Sequence, residues 1–349
     1  MVAQATWRWV MTMLAVVAGE KGGGGVRRRR GWWRCPPEKR VVAACLDSGF
    51  FYVTNHGIDE EFMDEVFSQS KRFFSLPMVE KMKLLRNEKN RGYTPVLDEH
   101  LDPVNQIHGD YKEGYYIGTE VSEDDPDALK PFSGPNIWPS ADMLPTWRET
   151  MVRYHQAALE VARAVSRLIA LALDLKLDFF DQPERLGRPL AILRLLHYED
   201  RTSEPAKGIF GAGAHSDFGL ITLLATDDNY GLQICKDRDA KPEIWEYVPP
   251  LKGAFIVNLG DMLERWSNCS FRSTLHRVLG NGQERYSIAY FVEPNPECII
   301  ECLQTCQSEN NPPKKVIATV NSMSMGGETR YVICYDVFPG SLQSNARII

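Results

Sequence analysis

Apolar positions along the chain change their period near residue 189, dividing it into a helix-bearing part and a strand-bearing part. From Glu38 a short helix is predicted through Val41, Val42 and Cys45, followed by Gly49 and a strand, Phe50-Phe51-Tyr52-Val53, that stops at Asn55-His56-Gly57. Asp59 is placed to cap the next helix, whose Phe62, Val66, Phe67 and Phe73 recur near helical spacing, and Pro77 ends it or begins another. Residues 86–140 are rich in turn formers and acids, carry Asp110-Tyr111-Lys112-Glu113, and read as irregular chain with short strands. Leu144, Trp147, Met151, Tyr154, Ala158, Val161, Val165 and Leu168 then step by threes and fours, an apolar stripe on a helix of about 30 residues. His155 borders that stripe and, with no second ligand at helical spacing, reads as structural.

After Pro189 the pattern shortens into β-rich runs at 190–198, 214–225, 231–235, 244–248, 253–259, 271–279 and 285–293, parted by Gly and Asp/Asn turns. A parallel α/β fold needs a crossover helix after each strand, so runs without helices between them predict a sandwich or jelly roll. The fold class expected is mainly β with α, a jelly-roll core with supporting N-terminal helices. The divisions expected are an unstructured extension at 1–36, an N-terminal region at 37–140, the long scaffold helix and linker at 141–182, the jelly roll at 186–296 and an atypical C-terminal segment at 297–349.

Composition narrows the function. The 349 residues suit about two domains or one large one, and 44% apolar with 25% charged residues is ordinary globular usage. Six net negative charges speak against nucleic acid as a main partner. The uncharged stretch from Trp9 to Gly19 has eleven residues, whereas a helical membrane span takes about 20, so no membrane partner is expected. Ala18-Gly19-Glu20 is a poor export cleavage site. Eight cysteines without CxxC pairs read as free thiols in a reducing compartment, the cytosol by default. Cys298, Cys302 and Cys306 follow a strand-like run without a fourth partner and read as structural thiols. Gly22 to Gly25, Arg27 to Arg30, Trp32 and Trp33 give the extension its character, with a basic targeting arm as the alternative.

His215-Ser216-Asp217 carries the clearest chemistry, because a His and an Asp two apart on extended chain project to one face and can share a metal. His276, in Ser273-Thr274-Leu275-His276-Arg277-Val278, is the best third ligand, from a separate strand. Two imidazoles and one carboxylate on one face leave positions open on an octahedral ion, the arrangement of non-haem Fe(II) oxygenases. Arg285-Tyr286-Ser287 follows, again a pair pointing one way: the Arg fork binds a carboxylate bidentately and the Ser adds a donor, so one small diacid could bridge metal and Arg. Gly211-Ala212-Gly213 lacks the third glycine and the helix of a dinucleotide fold.

Ala214 to Asp217, Gly231-Leu232-Gln233, Asn258-Leu259-Gly260-Asp261, Ser267-Asn268, Ser273 to Val278 and Arg285 to Ile288 resemble, in order and spacing, the 2-oxoglutarate and Fe(II)-dependent dioxygenase superfamily, in its plant and fungal soluble, isopenicillin N synthase-like class. Asp47 to Val53 with Asn55-His56-Gly57 resembles the N-terminal part of that class, and the likeness covers roughly residues 41–306. It implies a double-stranded β-helix in which His215, Asp217 and His276 bind Fe(II), Arg285 and Ser287 hold the distal carboxylate of 2-oxoglutarate, and Tyr198 contacts that cosubstrate, with no further catalytic residue. His197 would point to the opposite face of its strand and reads as structural. The implied reaction couples oxidative decarboxylation of 2-oxoglutarate to succinate, using O2, with hydroxylation or dealkylation of a small organic substrate by a monomer. The alternatives are an Fe(II) oxidase of the same family using ascorbate or another reductant, and an inactive isoform acting at most as a binding protein. The last is motivated by both ends, residues 1–36 without the usual opening apolar strand and Lys315 to Ile349 unlike the usual closing helix, which suggest alternative splicing or a mispredicted gene. Tyr93, Tyr116, Phe218 and Phe291 are read as pocket lining or aromatic core packing.

Overall fold

Apolar strands build two β-sheets that face each other, the larger one drawing on both halves of the chain, and helices of the first half cover that larger sheet. The computed structural model describes residues 37–313 apart from 131 and 297, and outside that range only the short strands Leu14–Val17, Ser322–Met325 and Glu328–Tyr331. The first half comprises β1 (Leu14–Val17), α1 (Pro37–Asp47), β2 (Phe50–Thr54), α2 (Glu60–Phe74), α3 (Met78–Met82), β3 (Gly92–Thr94), β4 (Lys112–Gly118) and α4 (Trp147–Ala172). There follow β5 (Leu190–Tyr198), β6 (Ala212–His215), β7 (Ile221–Thr226), β8 (Leu232–Asp237), β9 (Ile244–Tyr247) and β10 (Phe255–Leu259). Helix α5 (Asp261–Trp266), β11 (His276–Val278) and β12 (Arg285–Glu293) complete the core, and β13 (Ser322–Met325) pairs with β14 (Glu328–Tyr331) apart from it.

The large sheet has the order β1-β2-β10-β7-β12-β5-β4-β3 and the small one β6-β11-β8-β9. Because successive strand residues point to opposite faces, each long strand serves two cores. Phe51, Val53, Leu193, Leu195, Val257, Tyr286, Ile288 and Tyr290 pack beneath the helices, whereas Phe50, Tyr52, Leu196, Tyr198, Ile256 and Ala289 pack toward the small sheet. Burial on both faces explains why these strands read as near-continuous apolar runs. The arrangement is the jelly roll that the strand pattern predicts.

Helix α4 buries Trp147, Met151, Tyr154, Ala158, Val161, Val165 and Leu168, so the predicted stripe faces the core. It is shorter than expected at 26 residues, since Thr146 at φ 64° precedes it and leaves Leu144 in the turn before. The Trp147 indole donates to the Gln69 carbonyl at 3.0 Å and fixes α4 against α2.

Several expectations change. Strand 214–225 is two strands, β6 and β7, because the chain crosses from the small sheet to the large one between them. Within 271–279 only β11 is strand. Asp59 stands at the N-cap of α2 without a side-chain cap bond, and Pro77 begins α3. The stretch expected to be irregular contains β4, all seven residues buried between β3 and β5. Within 1–36, expected to lack an apolar strand, β1 pairs antiparallel with β2, Leu14 opposite Thr54. The glycine and arginine runs and most of 314–349 lie outside the described residues.

Candidate functional site

His215 ends β6, His276 begins β11, and the two are directly opposite in register with ring centroids 4.3 Å apart. Each Nδ1 lies against a carbonyl two residues earlier, His215 on Gly213 at 2.8 Å and His276 on Thr274 at 3.1 Å. A carbonyl only accepts, so Nδ1 carries the proton in both rings and the Nε2 lone pairs are free for a metal. Asp217 is not on a strand as the sequence reading assumed; it sits in the crossing between β6 and β7. That crossing still brings Asp217 Oδ1 to 3.8 Å from His215 Nε2 and 3.6 Å from His276 Nε2, and one ligand atom from each residue lies within 4.8 Å of the others.

Two neutral donors aim the carboxylate. Thr222 Oγ1 donates to Asp217 Oδ2 at 2.5 Å and Asn258 Nδ2 at 2.6 Å, which leaves Oδ1 for the imidazoles. Burial alone would raise the Asp217 pKa, but the two histidines and these donors hold it below the usual carboxylate range. Burial, followed by the neighbouring His276, pushes His215 down to about 4. A buried carboxylate beside two imidazoles whose Nε2 atoms face it is a donor set for a divalent ion with mixed N/O preference, Fe(II) among them.

A second set lies farther along the same interior. Arg285 is the first residue of β12 and stands opposite Tyr198, its guanidinium 5.0 Å from that ring's centroid. Ser287 follows on the same face, and both residues are at most 4% exposed. Arg285 Nη1 and Ser287 Oγ are buried without a hydrogen-bond partner, while Arg285 Nε donates to the Asn229 carbonyl at 3.3 Å. Unpaired buried donors cost about 1–3 kcal/mol each, so this pair is built for an acceptor such as a carboxylate. The structure thus brings His215, Asp217 and His276 together as one group, and Arg285, Ser287 and Tyr198 as another.

His197 points away from this interior, as expected. Its Nδ1 meets Glu113 Oε1 at 2.7 Å and its Nε2 meets Glu284 Oε1 at 2.9 Å. His155 is also structural, with Nε2 on the Ala191 carbonyl at 3.1 Å. Tyr93 belongs to the helix-side core, its hydroxyl on Glu113, so it is not lining, and Phe218 packs against that same core. Phe291 packs between the sheets, and Tyr116 bonds Glu99 at 2.6 Å.

Sequence reasoning missed the Thr222 and Asn258 donors, although Asn258 lies in one of the segments singled out. It also missed a buried ionic cluster in which Glu99 bonds Lys112 at 3.0 Å and Arg194 closely, while Asp110 bonds Lys112. Asp110 also accepts from the Gly213 amide at 2.8 Å, tying the segment before β4 to the strand that carries His215. The signal was the charged Asp110-Tyr111-Lys112-Glu113 run, whose charges look solvated until strand pairing buries them.

Comparison with known proteins agrees with this geometry. Residues 38–141 match the family described as non-haem dioxygenase in morphine synthesis N-terminal, and residues 190–294 match the 2OG-Fe(II) oxygenase superfamily. The chain is 54% identical over 272 residues to kihadalactone A synthase of Citrus sinensis, covering 78% of this chain and 81% of that one. It is 53% identical, with the same coverage, to azadirone synthase of Melia azedarach. Among solved structures it resembles a full-length Neurospora crassa protein in complex with alpha-KG and 5-formyluracil, at 33% identity and a TM-score of 0.66 over 80% of this chain and 85% of that one.

Proposed function

Because the chain belongs to the 2-oxoglutarate-Fe(II) oxygenase superfamily, we propose that His215, Asp217 and His276 hold its Fe(II) and that Arg285 and Ser287 hold the distal carboxylate of 2-oxoglutarate, with Tyr198 beside it. The enzyme is a 2-oxoglutarate-dependent dioxygenase acting on small molecules. The observation that carries the residue assignment is the pairing of a convergent His-Asp-His group with two unpartnered buried donors in one interior. When bound, iron with 2-oxoglutarate and O2 supplies the oxidising power, yielding succinate and CO2 as a substrate is oxidised. The chain's own residues orient and exclude. The Gly213 and Thr274 carbonyls fix the ring tautomers, Thr222 and Asn258 aim Asp217, and the Arg285 fork neutralises the carboxylate it receives.

The substrate is an organic molecule of the kind handled by the kihadalactone A and azadirone synthases, two relatives that share more than half their aligned residues with this chain. A monomer that binds neither nucleic acid nor membrane fits six net negative charges, and among the described residues no helix is long and apolar enough to cross a bilayer. A cytosolic address fits the free thiols of Cys45, Cys235, Cys269, Cys298 and Cys306. The test is succinate release from 2-oxoglutarate by purified protein with and without Fe(II), beside Asp217→Ala. Iron-dependent succinate that vanishes in the variant is expected. Oxidation without succinate would instead mark an enzyme drawing on ascorbate or another reductant, and absence of iron binding would overturn the metal assignment.

A further inference from the structure

The interior pair Arg285 and Tyr198 has a counterpart on the opposite face of the same two strands. Tyr286 and His197, each the immediate chain neighbour of one of that pair, are also in register, and their rings stack with centroids 4.6 Å apart and planes 18° from parallel. His197 is held between two carboxylates, Glu113 at Nδ1 and Glu284 at Nε2. Both contacts lie within hydrogen-bond distance, so the ring is tied to a carboxylate at either nitrogen. Glu113 cannot follow the ring if it moves, because its other oxygen takes the Lys81 ammonium at 2.7 Å and the Tyr93 hydroxyl at 2.5 Å. Glu284 is the residue before Arg285, and its side chain is 57% exposed.

Arg285 therefore starts its strand immediately after a turn, where a strand end is free to fray, and it is tied from both neighbours. On the β7 side Asn229 Nδ2 donates to the Glu284 carbonyl at 2.7 Å, and the Tyr286 amide donates to Asp227 Oδ2 at 2.7 Å. On the β5 side His197 adds a side-chain tie at Glu284 to the ladder pairing of Arg285 with Tyr198. Without it, that flank loses the side-chain link to Glu284, and the guanidinium is kept over Tyr198 by the ladder and the Asn229 carbonyl alone.

We propose that His197 is a positioning residue for the dicarboxylate clamp, holding the Glu284-Arg285 strand start against the anchored Glu113 so that Arg285 meets the distal carboxylate of 2-oxoglutarate pre-aligned. This rests on the assignment of Arg285 above.

The test titrates 2-oxoglutarate anaerobically into the Fe(II)-loaded full chain, comparing wild type with His197→Phe, which keeps the ring stack and loses both bonds, and with Glu284→Gln, a surface change that spares the core. The Kd for 2-oxoglutarate should rise about tenfold in His197→Phe and about threefold in Glu284→Gln, with the Kd for Fe(II) within about twofold of wild type. In succinate formation the KM for 2-oxoglutarate should rise likewise while the rate at saturation holds. Unchanged 2-oxoglutarate affinity in both variants would overturn the role, and so would a joint loss of iron and 2-oxoglutarate affinity, the mark of general unfolding. Wild type that binds iron but no 2-oxoglutarate would sink the Arg285 assignment itself.

Discussion

Asn258 on β10 donates to the carboxylate oxygen of Asp217 that faces away from the histidines, at 2.6 Å. Asn258 stands directly opposite Thr222 on β7, so two neighbouring strands of the large sheet deliver both donors to one oxygen. The direction of the Asp217 carboxylate, the proposed metal ligand in the crossing, is thereby set by the large sheet.

Removing that donor should loosen the metal without unfolding the chain. Asn258→Ala is expected to weaken Fe(II) binding by about 10- to 100-fold, the usual effect of losing a partner that orients a ligand. Metal titration followed by circular dichroism of the same samples checks both halves of the statement.

Replacing the guanidinium fork with a point charge separates geometry from charge at the clamp. Arg285→Lys keeps the positive charge and loses bidentate pairing, so the KM for 2-oxoglutarate should rise about tenfold or more. Iron affinity should stay unchanged, and calorimetry on the two ligands separately decides the point.

Glu99 joins Lys112, Arg194 and Tyr116 with its side chain only 12% exposed. Truncation in Glu99→Ala leaves the buried Arg194 without its anion and Lys112 with Asp110 alone, and should cost about 3–5 kcal/mol of stability. Urea unfolding gives the number, and a loss below about 1 kcal/mol would mean that Asp110 alone suffices for Lys112.

Glu293 predicts a pH effect of definite sign. Burial first, and Asp217 nearby second, push its carboxyl up from 4.5 to about 7. A folded-state pKa above the unfolded one means stability fully present below the unfolded value and lost as pH rises through the folded one, here between about 4.5 and 7. Glu293→Gln removes the titration. Its stability relative to wild type should therefore climb by roughly 1–2 kcal/mol between about pH 4.5 and 8, with partial solvent access at this position keeping the figure small. Matched urea curves at the two pH values test it.

What could be read from the chain alone follows from how local each feature is. His215, His276, Arg285 and Ser287 were legible because strand alternation and short spacings are properties of neighbouring residues. Asp217 was found for a partly mistaken reason, since it lies past the end of β6 and owes its direction to Thr222 and Asn258. Those donors, and the Glu284 contact of His197, were not legible, because they depend on which strands become neighbours. Strand β4 was hidden by Lys112 and Glu113, charges that are buried only because Glu99, Asp110, Lys81 and His197 meet them there.

The crossing that carries Asp217 meets the start of α5 through backbone bonds. The Asp261 amide donates to the Asp217 carbonyl at 2.8 Å and the Gly260 amide to the Leu220 carbonyl at 3.0 Å. Gly260 has an ordinary φ of −99°, yet a Cβ there would lie 2.1 Å from the Gly219 carbonyl oxygen. Any larger residue at 260 must wedge the two segments apart by about an ångström, and Asp217, the proposed metal ligand, rides on the segment displaced. A mutation that adds a single methyl group and alters no charge would thus be read out as lost iron.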